Sequence, residues 1–327
     1  MKKSLLALAA LTAFAGAASA QSSVTLYGRV DLSVAKNIGS DSKVMQNGSG
    51  SRLGFRGVED LGGGLAAVFQ IETRFDADTG AAQNFNVAAL TETGTKATTG
   101  NRFWGARSIV GLKGGFGQVL FGREYTTAFL GTQLIADPWG WDTVAAQNGI
   151  TGLGGIAKVR NDSSITYNIA ASGFSFGAQI AESSDTINNF ASKPMNFNVG
   201  YGAGPLTVAF GYEKTGREAA GDEKMWSAVG QYNLGFMKPG FYYGKGTALN
   251  GASHKGMMFT VSAPMGAGEL RASYGTLKAN DTTVSKRIAA GYHYNMSKRT
   301  TLYVDFANDS EAATSKSAYD VGIKHNF

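Results

Sequence analysis

The feature that most constrains the fold of this chain is a strict alternation of apolar and polar residues, repeated almost from its beginning to its last residue. Around Val30, apolar residues occupy the even positions, while Arg29 and Asp31 occupy odd ones. The final segment alternates in the same way and ends on Phe327. Because a β-strand points successive side chains to opposite faces, this period predicts strands with one apolar and one polar face.

The polar faces of these predicted strands carry many charges, and the apolar faces carry many aromatic rings. The chain has 19 Phe and 13 Tyr, and its mean hydropathy is -0.11. Segments of about ten residues with this alternation are typical of transmembrane β-barrels that have a water-filled interior. A closed barrel also pairs the terminal strand and leaves no free edge. A secreted soluble β-sandwich or adhesin shares the alternation and remains the alternative.

Short and long connections alternate between the predicted strands. The short ones, such as residues 60–64 and 266–268, are rich in Gly and suit tight hairpins. Seven short and eight long connections predict an all-β, transmembrane, 16-stranded antiparallel barrel, because outer-membrane barrels have short turns at one end and long loops at the other. The long polar connections lie around residues 37–50, 77–101, 125–159, 185–194, 216–223, 247–255, 279–285 and 308–316.

The longest of these connections is the third, residues 125–159. It contains Asp137-Pro-Trp-Gly-Trp-Asp142 and a Gly-rich stretch between Gly149 and Gly155. Its aromatic residues and glycines suit packing against a wall better than extension into water. We therefore expect a long third loop folded inward into the barrel, with a variable surface loop as the alternative.

Residues 1–20 have the pattern of an export signal. Lys2 and Lys3 precede an apolar run, and Ala18-Ser-Ala20 is a small-x-small cleavage site. The apolar run is too short for a membrane-spanning helix. We expect a cleaved signal peptide at 1–20 and a single barrel domain at 21–327. The chain has no cysteine, which excludes disulfides and thiolate metal sites.

Charge and motifs argue against nucleic-acid binding and against catalysis. Without the two lysines of the signal, 28 basic residues stand against 24 acidic ones, and they form no basic run. His254 falls in a predicted loop, His293 on a polar strand face and His325 near the end, with no metal-ligand spacing. No nucleophile elbow or phosphate loop is present, so we expect no enzyme, no metal and no cofactor.

Seven stretches, spread in order over the whole predicted mature chain, carry a family resemblance. They are residues 21–28, 51–65, 110–112, 116–123, 164–167, 291–303 and 321–327. In these stretches the chain resembles the general porins of the Gram-negative outer membrane. The similar group is β-proteobacterial and includes the anion-selective porins of Comamonas/Delftia type and the neisserial porins. One departure from the family pattern is Ser163, where the family has Asn.

The resemblance implies a homotrimer of barrels, each narrowed by its third loop at a constriction lined with arginines. Arg52 and Arg160 match two of those arginines by position, and Glu72 matches an acidic wall position. Where the family has its third arginine, this chain has Ala106, with Arg107 next to it. A shift of one residue turns a strand side chain to the opposite face, so the direction of Arg107 stays open.

The predicted function is that of an outer-membrane porin, a water-filled diffusion channel for small hydrophilic solutes and ions with a preference for anions. A substrate-specific channel with a solute-binding lumen is the alternative. Expected partners are outer-membrane lipid, lipopolysaccharide and the permeating solutes. Neutralisation of the arginines by the acidic residues would instead give a nearly non-selective pore. The predicted constriction residues are Arg52, Arg56, Arg160, Arg107, Glu72, Asp137 and Asp142.

Overall fold

The structure is a computed structural model that describes residues 23–83, 102–181, 193–215 and 222–327. The predicted export signal lies outside the described residues. So do parts of three predicted loops, at 77–101, 185–194 and 216–223.

Sixteen long antiparallel strands form the wall within the described part of the chain. Two shorter segments, Lys43–Gln46 and Ala81–Ala82, pair with the loop ends of the long strands Ser23–Lys36 and Leu65–Asp76. The long strands are β1 (Ser23–Lys36), β2 (Ser51–Gly62), β3 (Leu65–Asp76), β4 (Arg107–Gly114), β5 (Gly117–Tyr125), β6 (Arg160–Ala171), β7 (Phe174–Ala181), β8 (Met195–Ala203), β9 (Leu206–Lys214), β10 (Lys224–Tyr232), β11 (Lys238–Thr247), β12 (Ser253–Met265), β13 (Gly268–Ala279), β14 (Thr282–Asn295), β15 (Thr300–Asp309) and β16 (Ser317–Asn326).

Each long strand pairs with its neighbours in sequence, and β16 pairs back onto β1. The closing register runs from Arg29 opposite Asn326 to Lys36 opposite Tyr319. At its end, Gly28 N donates to Phe327 O at 3.0 Å, and Phe327 N donates to Gly28 O at 3.1 Å. The predicted closed, 16-stranded antiparallel barrel is thus confirmed, and every long strand has two partners.

The faces of the strands follow the predicted alternation. On β1, Val24 is 70% exposed on the outside, whereas Asp31 is 1% exposed on the inside. On β16, Val321 and Ile323 are exposed and Asp320 is buried. The outer surface is therefore apolar and the inner one polar, as a lipid-facing wall around water requires.

The predicted long loop at 279–285 is wrong. β13 continues to Ala279 and β14 begins at Thr282, so only Asn280 and Asp281 form the turn. Both have positive φ, 47° and 66°, which two-residue hairpin turns require and which Asn and Asp tolerate. His254, predicted in a loop, is the second residue of β12.

The segment between β5 and β6, residues 126–159 (loop 3), lies against the inner face of the wall. It contains short helical turns at Phe129–Gln133, Leu134–Ala136, Asn148–Thr151 and Leu153–Gly155. Buried Ile150 and Leu153 form an apolar cluster with inward-facing Met225, Tyr242 and Met258. In the described ranges, no helix is long and apolar enough to span a membrane.

Candidate functional site

A row of three arginines crosses the inner wall on neighbouring strands. Arg29 of β1 lies opposite Arg52 of β2, and Arg52 lies opposite Arg74 of β3. Neighbouring strands are about 4.8 Å apart, so the three side chains are held side by side. Like charges in directly opposite positions repel, and the row therefore depends on the groups around it.

Glu72 lies between two members of this row. Its Oε1 is 3.8 Å from Arg52 Nη1 and 3.9 Å from Arg74 Nε. Tyr27 donates its hydroxyl to Glu72 Oε2 at 3.0 Å, which orients the buried carboxylate. The single negative charge of Glu72 is thus shared between two guanidinium groups, and the row keeps a net positive charge.

Tyr125, the last residue of β5, connects the row to Arg160. Its hydroxyl accepts a hydrogen bond from Arg74 Nη2 at 3.2 Å and one from Arg160 Nη2 at 2.5 Å. The guanidinium of Arg160 also lies 4.1 Å from the centre of the tyrosine ring, a cation–π contact. Arg160 Nε donates to the carbonyl of Ala106 at 2.6 Å. The fourth arginine is therefore held by a neutral side chain and a backbone carbonyl.

Asp142 of loop 3 faces the arginine row from the side of the lumen. Its Oδ2 is 3.5 Å from Arg29 Nη1, which also donates to Ser49 Oγ at 3.0 Å. Burial raises the pKa of the Asp142 carboxyl, and the charges of Arg29, Arg52 and Arg74 oppose that shift. Asp142 therefore lies within the electrostatic field of all three arginines.

Asp137, also predicted to lie near the arginines, has a different role. Its two carboxylate oxygens accept backbone N–H groups of Trp139, Trp141 and Gln147, at 3.0–3.1 Å. Burial raises its pKa to about 6, and these three hydrogen bonds act in the opposite direction. The carboxyl group of Asp137 therefore stabilises the backbone conformation of loop 3.

Loop 3 is attached to the inner wall at strands that do not carry the arginine row. Trp139 Nε1 donates to Asp305 Oδ1 of β15 at 2.7 Å, and Asp305 also contacts His293 at 3.1 Å. Gln147 donates to Ser273 of β13 at 2.7 Å. These contacts attach loop 3 to the inner wall on β13 and β15, outside the three strands that carry the arginine row.

Arg107, whose direction the sequence left open, lies on the inner face of β4. It is opposite Glu72 in the strand register and donates to Gln70 Oε1 at 2.6 Å. Its Nε donates at 2.9 Å to Glu124 Oε2, which Nη2 also contacts. The buried carboxylate of Glu124 neutralises it, so Arg107 adds little to the net charge of the site.

Arg56 is set apart from the other predicted residues. It lies on the same inner face of β2 as Arg52, four residues nearer the short turns, which is about 13 Å along a strand. Its guanidinium lies 5.4 Å from the ring of Tyr27. The structure thus brings Arg52, Arg160, Glu72 and Asp142 into one group and leaves Arg56 and Asp137 outside it.

Three residues of the site, Arg29, Arg74 and Tyr125, were not predicted from the sequence. The alternation signals that Arg29 and Arg74 face inward, but only the strand register shows that they are neighbours of Arg52. Tyr125 carries no sequence signal of its own. Among the described residues, no group of three or more His, Cys, Asp or Glu is arranged to hold a metal ion.

Comparison with known proteins assigns the chain to a family. The sequence matches the Gram-negative porin family (Porin_4) over residues 7–314. The chain belongs to that family. It is 32% identical to outer membrane porin protein 32 of Delftia acidovorans and 30% identical to an outer membrane porin protein of Bordetella pertussis, with full coverage of both chains in each case.

Solved structures agree with this assignment. An anion-selective porin from Comamonas acidovorans has 27% identity and a TM-score of 0.74, covering 94% of this chain and 100% of its own. OmpT of Vibrio cholerae in a trimer form shares the fold at 16% identity and a TM-score of 0.69, covering 94% of this chain and 99% of its own. The chain is an outer-membrane porin, in a family of channels rather than enzymes.

Proposed function

We propose that this porin is a general diffusion channel that prefers anions. The observation that carries the proposal is the charge balance of the site. Arg29, Arg52, Arg74 and Arg160 supply four positive charges, whereas Glu72 and Asp142 supply two negative ones. Asp31, which also acts on Arg29, lies directly opposite Lys324, so these two charges offset each other. Guanidinium groups keep their charge at any physiological pH, so this excess of positive charge persists.

The site acts on ions through its electric field. Low-dielectric walls concentrate the field of clustered charges and raise the local concentration of counter-ions. The support for a narrowed passage is that loop 3 contacts the inner wall at β13 and β15, while its Asp142 lies 3.5 Å from Arg29 of the row. A narrowing of this kind brings hydrated solutes close to the fixed charges, which is where selectivity arises.

We also propose that three copies assemble into a trimer. The support comes from relatives, since OmpT of Vibrio cholerae has been solved in a trimer form and shares this fold. Cross-linking in membranes, followed by electrophoresis without heating, tests this. A monomer as the largest species would contradict it.

A substrate-specific channel is the second candidate. Arg74 and Arg160 both donate to the hydroxyl of Tyr125, so two cations converge on one point, which suits binding of a particular anion. Concentration-dependent block of single-channel current by one solute would favour this candidate. A single-channel conductance that rises linearly with concentration for every small anion tested would favour general diffusion.

The main experiment measures reversal potentials in planar bilayers under a salt gradient. The double variant Arg52→Ala plus Arg160→Ala removes two of the four positive charges. We expect the anion-to-cation permeability ratio to fall several-fold, because the local anion concentration follows the fixed charge. Arg299→Ala is the matched control, since the side chain of Arg299 is exposed beside a short turn and is not part of the row.

The arginine assignment fails if the double variant keeps the wild-type reversal potential. Single-channel conductance of the same variant shows whether the channel is still open. A lost preference with intact conductance supports the proposal.

A further inference from the structure

Six lysines form a belt on the outer surface of the barrel, at the ends of strands that lead into the longer loops. They lie on six consecutive strands, β9 to β14, and on the same outward face as the apolar residues of those strands. At this end of the barrel β13 and β14 are joined by the two-residue turn Asn280-Asp281, and the other strand pairs by longer loops. They are Lys214, Lys224, Lys245, Lys255, Lys278 and Lys286.

The strand register places these lysines next to one another. Lys214 is directly opposite Lys224, and Lys255 is directly opposite both Lys245 and Lys278. Like charges in opposite positions destabilise a sheet. The belt therefore concentrates positive charge at a cost to the isolated protein, which an external anion would offset.

Acidic residues neutralise only part of the belt within the described residues. Lys214 Nζ is 2.8 Å from Asp222 Oδ2, and Lys255 Nζ is 2.6 Å from Asp281 Oδ1. The other four lysines form no ion pair with a described residue, and all four are exposed. The hydrogen bond from Lys255, with the charges of Lys278 and Lys245, lowers the pKa of Asp281.

A row of aromatic side chains fixes the depth of the belt. Tyr212, Trp226 and Tyr243 each lie two residues along the strand from a belt lysine, on the same outward face. The rings of Trp226 and Tyr243 are 5.5 Å apart. Tyr and Trp concentrate where the hydrocarbon of a membrane meets the headgroups. The lysines beyond them therefore lie at headgroup level.

We propose that this belt binds the phosphate groups of lipopolysaccharide in the outer leaflet. The longer loops of such barrels face the cell exterior, so the belt is in the leaflet where that glycolipid resides. A lysine ammonium is a compact charge that binds phosphate well, and its alkyl chain lies along apolar surface. Several lysines on adjacent strands match a lipid that carries more than one phosphate.

The test measures binding of diphosphoryl lipid A to purified, folded porin in detergent. The belt variant replaces the four unpaired lysines by glutamine: Lys224→Gln, Lys245→Gln, Lys278→Gln and Lys286→Gln. Its affinity should be at least about tenfold weaker than wild type, since each lysine near a charged membrane surface contributes about fivefold. Binding to the wild type should also weaken as salt is raised.

The matched control replaces three exposed lysines at the short-turn end, Lys113→Gln, Lys238→Gln and Lys298→Gln, and should bind as wild type does. Equal affinity of the belt variant and wild type would overturn the proposal, as would equal binding of lipid A that lacks phosphate. Equally tight binding of phosphatidylglycerol would overturn the choice of glycolipid. If the belt variant fails to fold, the salt dependence of lipid A binding to the wild type tests the proposal instead. Binding that does not weaken as salt is raised would overturn it.

The lysine belt is a different site from the arginine row that carries the proposed ion preference. The belt faces lipid and the arginine row faces the lumen, so the belt variant should keep the wild-type reversal potential in bilayers. Loss of lipid A binding with unchanged ion preference supports the belt alone. A change in both would show that the substitutions disturbed the barrel.

Discussion

At the scale of single residues, Tyr125 shows how a neutral side chain stabilises crowded positive charge. Its hydroxyl accepts from Arg74 and Arg160, and its ring lies under the guanidinium of Arg160. A carboxylate in its place would bind both arginines more strongly and cancel one of their charges. The tyrosine holds them while leaving the net charge of the lumen unchanged.

Ser163 has a left-handed backbone conformation within a strand. Its φ is 47°, and it lies where the register between β5 and β6 shifts around Arg123. The family pattern that this chain resembles has Asn at this position. Asn tolerates this region of backbone space better than most residues do. The left-handed backbone at this position therefore suits Asn better than Ser.

We expect Ser163→Val to destabilise the barrel by about 1–2 kcal/mol, because a β-branched residue is strained at positive φ. Ser163→Asn should be neutral or slightly stabilising. The side chain of Ser163 is exposed, so the comparison isolates the backbone effect. Urea titrations of folding into lipid vesicles measure both variants. Equal stability of the Val and Asn variants would contradict the strain argument.

At the scale of elements, the two acidic residues of loop 3 have different tasks. Asp142 faces the arginines of the wall, whereas Asp137 binds three backbone N–H groups of its own loop. Asp137 also lies near Arg287 of β14 and near Asp142. Its ionisation therefore changes the charge of the loop without breaking a contact with the arginine row.

The anion preference should increase as the pH falls from about 7 to 5. Because the pKa of Asp137 is raised to about 6, its carboxyl is mostly ionised at pH 7 and mostly protonated at pH 5. Protonation removes a negative charge, and the excess positive charge of the lumen grows. Reversal potentials at the two pH values measure the change.

Asp137→Asn is the comparison for this pH effect. Its side chain is neutral throughout, so its change in reversal potential between pH 7 and 5 should be smaller than that of wild type. An identical pH response in the two proteins would assign the effect to other groups, such as Asp142.

At the scale of the whole molecule, each outward-facing residue must suit the depth in the membrane at which it lies. Ala228 is the middle residue of β10 and faces outward between Phe210 and Tyr243. Leu206 begins β9 next to a short turn and also faces outward. The two positions share a face and differ in depth.

We expect Ala228→Arg to destabilise the barrel by about 2–4 kcal/mol and Leu206→Arg by about 0–1 kcal/mol, since the penalty for a lipid-facing charge is greatest at the midplane. Folding titrations in vesicles compare the two directly. Equal effects would mean that the depth assigned to these strands is wrong.

Much of this fold follows from the sequence because alternation and hairpin turns are local. The direction of Val24 or Asp31 depends only on its own strand. The grouping of Arg29, Arg52 and Arg74 depends on register between strands, which one-dimensional periodicity does not contain. The turn at Asn280 and Asp281 was missed because the polar residues that follow it resemble a loop, although they belong to β14.

The pairing of Gly28 with Phe327 has a consequence for biogenesis. The seam of the cylinder joins β1 to β16, the two long strands that are farthest apart in sequence, so a nascent chain that lacks β16 leaves two unpaired strand edges. Contacts so distant in sequence form slowly. Such a polypeptide has to be kept unfolded and unaggregated until both strands are available to pair, which places the demand on holdase chaperones during its transit.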